Sequence, residues 1–148
     1  MKGKSKPWGY FDTSVLAKRY IRENGSDQAN GLLRKYRFIS SRLALVEAAS
    51  TFRRRHESGD MEATQFHAIL ARFDADAQHR SLIEPTREIL DRAEKLAREN
   101  NLRSLDALHL SSALCFNDSI HTRVPFITAD SAQRDAATTL SLDVIWVE

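Results

Sequence analysis

Cysteine is nearly absent: Cys115 is the only one in 148 residues, so an internal disulfide and any multi-cysteine zinc site are excluded. Cys115 itself falls in an apolar helical run and is expected to act as a buried small hydrophobe. No apolar run approaches the roughly 18 residues of a membrane-spanning helix, so no membrane association is expected. The N-terminal Met-Lys-Gly-Lys-Ser-Lys-Pro is basic but runs straight into Trp8-Gly-Tyr-Phe, without the apolar core of a secretory signal. A cytoplasmic protein with a flexible segment at 1–7 is therefore expected. An excess of one charge is also missing. Lys and Arg number 22 against 20 Asp and Glu, and the net of +2 is too small to announce a nucleic-acid partner. The histidines at 56, 67, 79, 109 and 121 show no zinc spacing. Ser-His-Asp arrangements, Gly-rich phosphate loops and dinucleotide fingerprints are lacking too. His109, one turn from Asp106, is read as a structural residue of its helix.

What remains is a single globular domain over 1–148, with 42% hydrophobic and 28% charged residues and no repeat or linker. Short apolar runs at Trp8–Phe11, Phe38–Ile39, Ser81–Glu84, Val124–Thr128 and Val144–Val147 read as strands. Between them lie helical segments at Val15–Arg22, Ser26–Tyr36, Arg42–Glu57, Met61–Gln78, the stretch from Pro85 to Arg98, Ser104–Phe116 and a short one from Ser131. Ser40-Ser41 and Ser104 are expected as caps, and Pro85 in a first turn. Strands alternating with helices predict a three-layer α/β/α sandwich around a parallel sheet. Ligands of such sheets bind beyond the carboxyl ends of the strands.

Asp12 and Asp130 fall at those ends. Each reads equally as a helix N-cap or as part of a site. Asp106 lies on a helix that is apolar around most of its circumference, so its carboxylate needs a partner or a pocket. Glu47 lies off the expected apolar stripe Leu45, Ala49 and Phe52, and periodicity alone makes it a solvated glutamate. Taken together, the four describe converging carboxylates, an arrangement that calls for cations among them. Basic groups occur at Lys18-Arg19, Arg34-Lys35 and Arg53-Arg54-Arg55. Such runs read first as solvated faces and second as contacts for a polyanion.

Four segments in order, Tyr10-Phe11-Asp12-Thr13-Ser14, Ala44-Leu45-Val46-Glu47-Ala48, Leu102-Arg103-Ser104-Leu105-Asp106-Ala107-Leu108-His109-Leu110 and Phe126-Ile127-Thr128-Ala129-Asp130, resemble the PIN-domain ribonucleases. Within them the chain looks most like the toxin of VapBC toxin–antitoxin modules, from Trp8 to Trp146. The resemblance implies an endoribonuclease dependent on Mg²⁺ or Mn²⁺, with Asp12, Glu47, Asp106 and Asp130 as its acids. Asp12, Asp106 and Asp130 would hold the metal, and Glu47 would complete the shell or orient the attacking water. Attack would break the bond to the 3′ oxygen. Thr13, Ser14 and Thr128 would be hydroxyl neighbours of the carboxylates. Arg19, Arg53, Arg54 and Arg103 are candidates for RNA contact. A cognate antitoxin and a homodimer formed through the helices between Arg42 and Gln78 are the implied partners. One departure stands out: many relatives place another acid and an aromatic soon after the last aspartate. Here Ser131-Ala132-Gln133 follow, and Asp135 comes five residues on. The competing classes are a non-catalytic binding module of the same fold and an aspartate-nucleophile phosphatase. The second usually needs an aspartate where Ser14 stands.

Overall fold

The computed structural model describes residues 5–148. Of the segment expected to be flexible at 1–7, residues 1–4 lie outside the described residues. The exposed 5–7 lead into the sheet, and the Pro7 carbonyl accepts from Arg37 N at 2.7 Å. Five strands form one parallel sheet in the order β3-β2-β1-β4-β5: β1 (Trp8–Phe11), β2 (Arg37–Ser41), β3 (Ser81–Ile83), β4 (Phe126–Thr128) and β5 (Val144–Trp146). The seven helices are α1 (Thr13–Tyr20), α2 (Ser26–Lys35), α3 (Leu43–Glu57), α4 (Ala63–Ala75), α5 (Arg87–Glu99), α6 (Ser104–Ile120) and α7 (Ser131–Thr139).

Side chains alternate across a strand, and β1 uses both faces. Tyr10 points into a cluster with Leu96 of α5, Leu110 and Ala113 of α6, Phe126, and Ala137 of α7. Phe11 points the other way, onto Val15 of α1, Ala29 of α2, Ile127 and Val147. The sheet is thus covered on both faces, giving the three layers expected. A third cluster ties α1 to the α3–α4 hairpin through Leu16, Tyr20, Ala44, Ala48, Phe52 and Phe73. Tyr20, Phe52 and Phe73 meet edge to face at centroid separations of 5.2–5.7 Å, the arrangement their quadrupoles favour.

Several local expectations are corrected. The buried stripe of α3 is Ala44, Ala48 and Phe52: Phe52 is as expected, Ala44 and Ala48 stand in place of Leu45 and Ala49, and Ala49 is exposed. Ser40 belongs to β2, and Ser41 ends that strand while its Oγ accepts from Leu43 N at 3.2 Å. Ser104 is the first residue of α6, not its cap. Pro85 precedes α5, which Thr86 caps by accepting from Ile89 N. Helix α4 stops at Ala75, where Asp76 is drawn to Arg19 and Tyr20, and a 3₁₀ turn at Ala77–His79 follows. Cys115 is half-buried, with Arg92 near its sulfur at 3.7 Å.

Gly9 carries a constraint its neighbours impose. A Cβ there would lie 2.9 Å from both Ile127 Cδ1 and Tyr36 Cβ, in the middle of a fully covered strand. Gly9→Ala is expected to lower unfolding free energy by about 1–3 kcal/mol through overpacking, measured as a shifted urea midpoint. An unchanged midpoint would show that Tyr36 and Ile127 can give way without loss.

Candidate active site

The order of strands reverses between β1 and its neighbours, because β2 and β3 lie to one side and β4 and β5 to the other. A crevice opens at the carboxyl ends of β1 and β4, lined by the buried Asp12 and the exposed Asp130. Asp12 is 3% exposed. Its Oδ1 accepts from Ser14 Oγ at 2.5 Å and from Val15 N at 3.3 Å, and its Oδ2 accepts from Thr128 Oγ1 at 2.5 Å. The two hydroxyls are themselves fixed, Ser14 by Ala129 N–H and Thr128 by Asp130 N–H, each at 3.0 Å. One carboxylate therefore joins the end of β1, the start of α1 and the end of β4. Burial pushes its pKa up, against the pull of His109 and of these hydrogen bonds.

Asp130 caps α7 through Oδ1 and Gln133 N at 3.0 Å, so for Asp12 and Asp130 the cap and the crevice position coexist. The Asp106 carboxyl, in the first turn of α6, makes no hydrogen bond or ion pair among the described residues. Its carboxyl titrates above the usual range, first through burial and then through the like charge of Asp130; Glu47 adds to the repulsion and Arg103 opposes it. Glu47 comes from α3, with Oε1 accepting from Thr13 Oγ1 at 3.0 Å and lying 2.7 Å from His109 Nε2.

All four acids line one open cleft of about 800 Å³ together with Thr13, Ser14, Arg54, Arg103, His109 and Gln133. Thr128, buried behind Asp12, reaches the cleft only through that carboxylate. Arg19 and Arg53 do not line it. Arg19 is held by Asp76 at 2.9 Å, and Arg53 pairs with Glu57 at 2.7 Å. Asp135 stands on the outside of α7 beside Arg134 and adds nothing to the site. Among the described residues, no three of His, Cys, Asp and Glu form a ready metal-binding group. The four acids nonetheless offer only hard oxygens around an open space, and burial together with like charge raises one of them. That suits a hard divalent cation retaining several waters better than it suits zinc, whose sites are built mainly from histidine and cysteine.

Sequence reasoning underrated two residues. His109, 3% exposed, touches Tyr10, Thr13 and Glu47, and its i+3 spacing from Asp106 was the available signal. Gln133, 2% exposed, lines the cleft with Oε1 lacking a partner among the described residues. Nothing in its polar neighbourhood in the sequence marks it. The lining face of α3 was also readable: Leu43, Glu47, Ser50 and Arg54 recur at helical spacing beside the buried stripe.

A family model described as PIN domain matches residues 9–138. No curated protein matches the chain. Among solved structures, a toxin–antitoxin complex from Klebsiella pneumoniae is similar at 20% identity and a TM-score of 0.59, covering 84% of this chain and 88% of that one. VapBC2 from Rickettsia felis, bound to a DNA fragment from its promoter, is similar at 14% identity and a TM-score of 0.63, covering 94% and 98%. At these identities the likeness is one of fold.

Asp12 and Asp106 titrate above their ordinary values, so folding favours their protonated forms. That contribution is full below the unfolded carboxylate pKa and is lost as pH rises through the raised folded values. Asp27, Asp76 and Asp143, held low by Arg22, Arg19 and Arg123, work in the opposite sense and lose their contribution only in stronger acid. Metal-free protein should therefore have a higher urea midpoint near pH 5 than near pH 7.5. Asp106→Asn should reduce that difference and raise Tm by roughly 1–3 °C at neutral pH. A midpoint that climbs from about pH 5 to about pH 7.5 in both proteins contradicts the assignment.

Proposed function

The chain belongs to the PIN-domain family, and from that premise we propose that it is a Mg²⁺- or Mn²⁺-dependent endoribonuclease, the toxin of a type II toxin–antitoxin pair. The observation that carries the reading is the meeting of Asp12, Glu47, Asp106 and Asp130 in one open crevice at the sheet's switch point. Asp12, Asp106 and Asp130 hold the ion. When bound, it lowers the pKa of water and offsets charge developing on the phosphoryl group. The chain's own part is positional. Ser14 and Thr128 fix Asp12, the start of α7 fixes Asp130, and Glu47 receives or orients the proton of the attacking water. Arg54 and Arg103, both at the cleft, receive the RNA backbone. Arg19 and Arg53 lie outside the cleft, paired with Asp76 and Glu57, and their part in RNA contact would be secondary.

An antitoxin as partner is supported by the two similar structures, whose descriptions are of a toxin–antitoxin complex and of VapBC2. A homodimer formed through α3 and α4 belongs to the same reading, and Val46 on α3 is 66% exposed. No helix among the described residues is long and apolar enough to cross a membrane, and the cytoplasm is where the proposed substrate is found.

The decisive experiment incubates purified protein with a mixed structured RNA and Mg²⁺ or Mn²⁺. EDTA should abolish cleavage, and Asp130→Asn should reduce it on the order of 10²–10³-fold. Cleavage that survives both removes the site. No cleavage with either metal, and no metal binding by calorimetry, moves a non-catalytic binding module to first place. Arg54→Ala and Arg103→Ala should each lower the slope of log affinity against log salt by roughly 0.7, measured with a single-stranded RNA. Unchanged slopes in both variants would take these arginines off the RNA path.

A further inference from the structure

Beneath the four acids runs a buried chain of hydrogen bonds that none of their assigned roles uses. Ser41 N–H, at the end of β2, donates to Tyr10 Oη at 3.2 Å. Tyr10 Oη lies 2.7 Å from His109 Nδ1, and His109 Nε2 lies 2.7 Å from Glu47 Oε1. Thr13 Oγ1 donates to that same glutamate oxygen at 3.0 Å. Tyr10 is fully buried, stacked on Phe126 at 5.3 Å, and set edge-on to the His109 ring at 5.9 Å.

The direction of each bond follows from its ends. A backbone N–H only donates, so Tyr10 Oη accepts from Ser41 and its own hydrogen is free to point at His109 Nδ1. A phenol keeps that hydrogen near neutral pH. With Nδ1 accepting, the ring proton resides on Nε2, where it meets a carboxylate that accepts. Two donors, from α6 and α1, then converge on Oε1 of Glu47. Oε2 has no partner among the described residues.

We propose that His109 is a positioning residue, fixed by Tyr10 as the Nε2–H tautomer, which holds Glu47 by Oε1 and so presents Oε2 to the cleft. Glu47 needs such a tether. It is the one acid of the four carried on the α3–α4 hairpin rather than at a strand end or on α6, and its flexible side chain faces an open space. The consequence for turnover rests on the function proposed above, whereas the tautomer and the tether do not.

Three measurements test this on the full chain. Long-range ¹H–¹⁵N spectra should show His109 with a protonated Nε2 and a bare Nδ1, and Tyr10→Phe should weaken that preference. An Nδ1–H tautomer, or a doubly protonated ring near neutral pH, overturns the proposal. His109→Gln can place an N–H where Nε2 lies, whereas His109→Asn reaches only the Nδ1 position. The Glu47 ¹³Cδ resonance should therefore move in His109→Asn and stay near wild type in His109→Gln, irrespective of any activity. In RNA cleavage, His109→Asn should lose roughly 10–100-fold in kcat with KM little changed, and His109→Gln should recover most of it. Equal losses in the two variants, with both folded by circular dichroism, would reduce His109 to a core residue. If wild-type protein cleaves no RNA, the functional reading fails, and the two spectra still decide the tether.

Discussion

The burial of one carboxylate, Asp12, is the constraint around which the rest is arranged. A buried carboxylate without partners is costly, and here three donors from two helix-starting residues and one strand end enclose it. Those donors also fix the relative positions of β1, α1 and β4, so the sheet's switch point is held by a polar knot as well as by Phe11 and Ile127. Asp12 caps α1, Asp130 caps α7, and Asp106 lies in the first turn of α6. Three helix amino ends, each favouring nearby negative charge, therefore meet at one crevice and partly offset its repulsion.

The fourth acid arrives by a different route. Helix α3 is located by Ala44, Ala48 and Phe52, and Phe52 by its edge-to-face contacts with Tyr20 and Phe73. Glu47 sits on the flank of that stripe, so an aromatic cluster well away from the crevice sets how closely the glutamate approaches. The bonds from Thr13 and His109 complete the placement across the gap. The crevice is thus built from a stiff sheet and a helical hairpin joined by side chains.

This division explains what could be read from the sequence. The β/α alternation, the parallel sheet and the positions of Asp12 and Asp130 follow from local signals: apolar runs that end in Asp-Thr-Ser and Asp-Ser. Asp106 was legible because a charge on a nearly apolar helix has few places to go. Glu47 has only the weak signal of its helical spacing with Leu43, Ser50 and Arg54. Of the expected stripe only Phe52 is buried, and the two alanines that complete it, Ala44 and Ala48, carry less hydrophobic weight than Leu45 beside them. The ion pair of Arg19 had no local signal either: its partner Asp76 is 57 residues away, and no local rule pairs them.

The caps illustrate a more general point about weighing readings of a single residue. An N-cap aspartate and a cleft carboxylate compete as explanations only while the chain is a string. In the folded protein the cap fixes the backbone and one oxygen, and that fixity is what a cleft carboxylate requires. Asp130 Oδ1 accepts from Gln133 N, while Asp106, with no such anchor, has its titration raised first by its burial and then by the like charge of Asp130. Arg103, one turn away at the same helix start, opposes that rise while lining the same cleft.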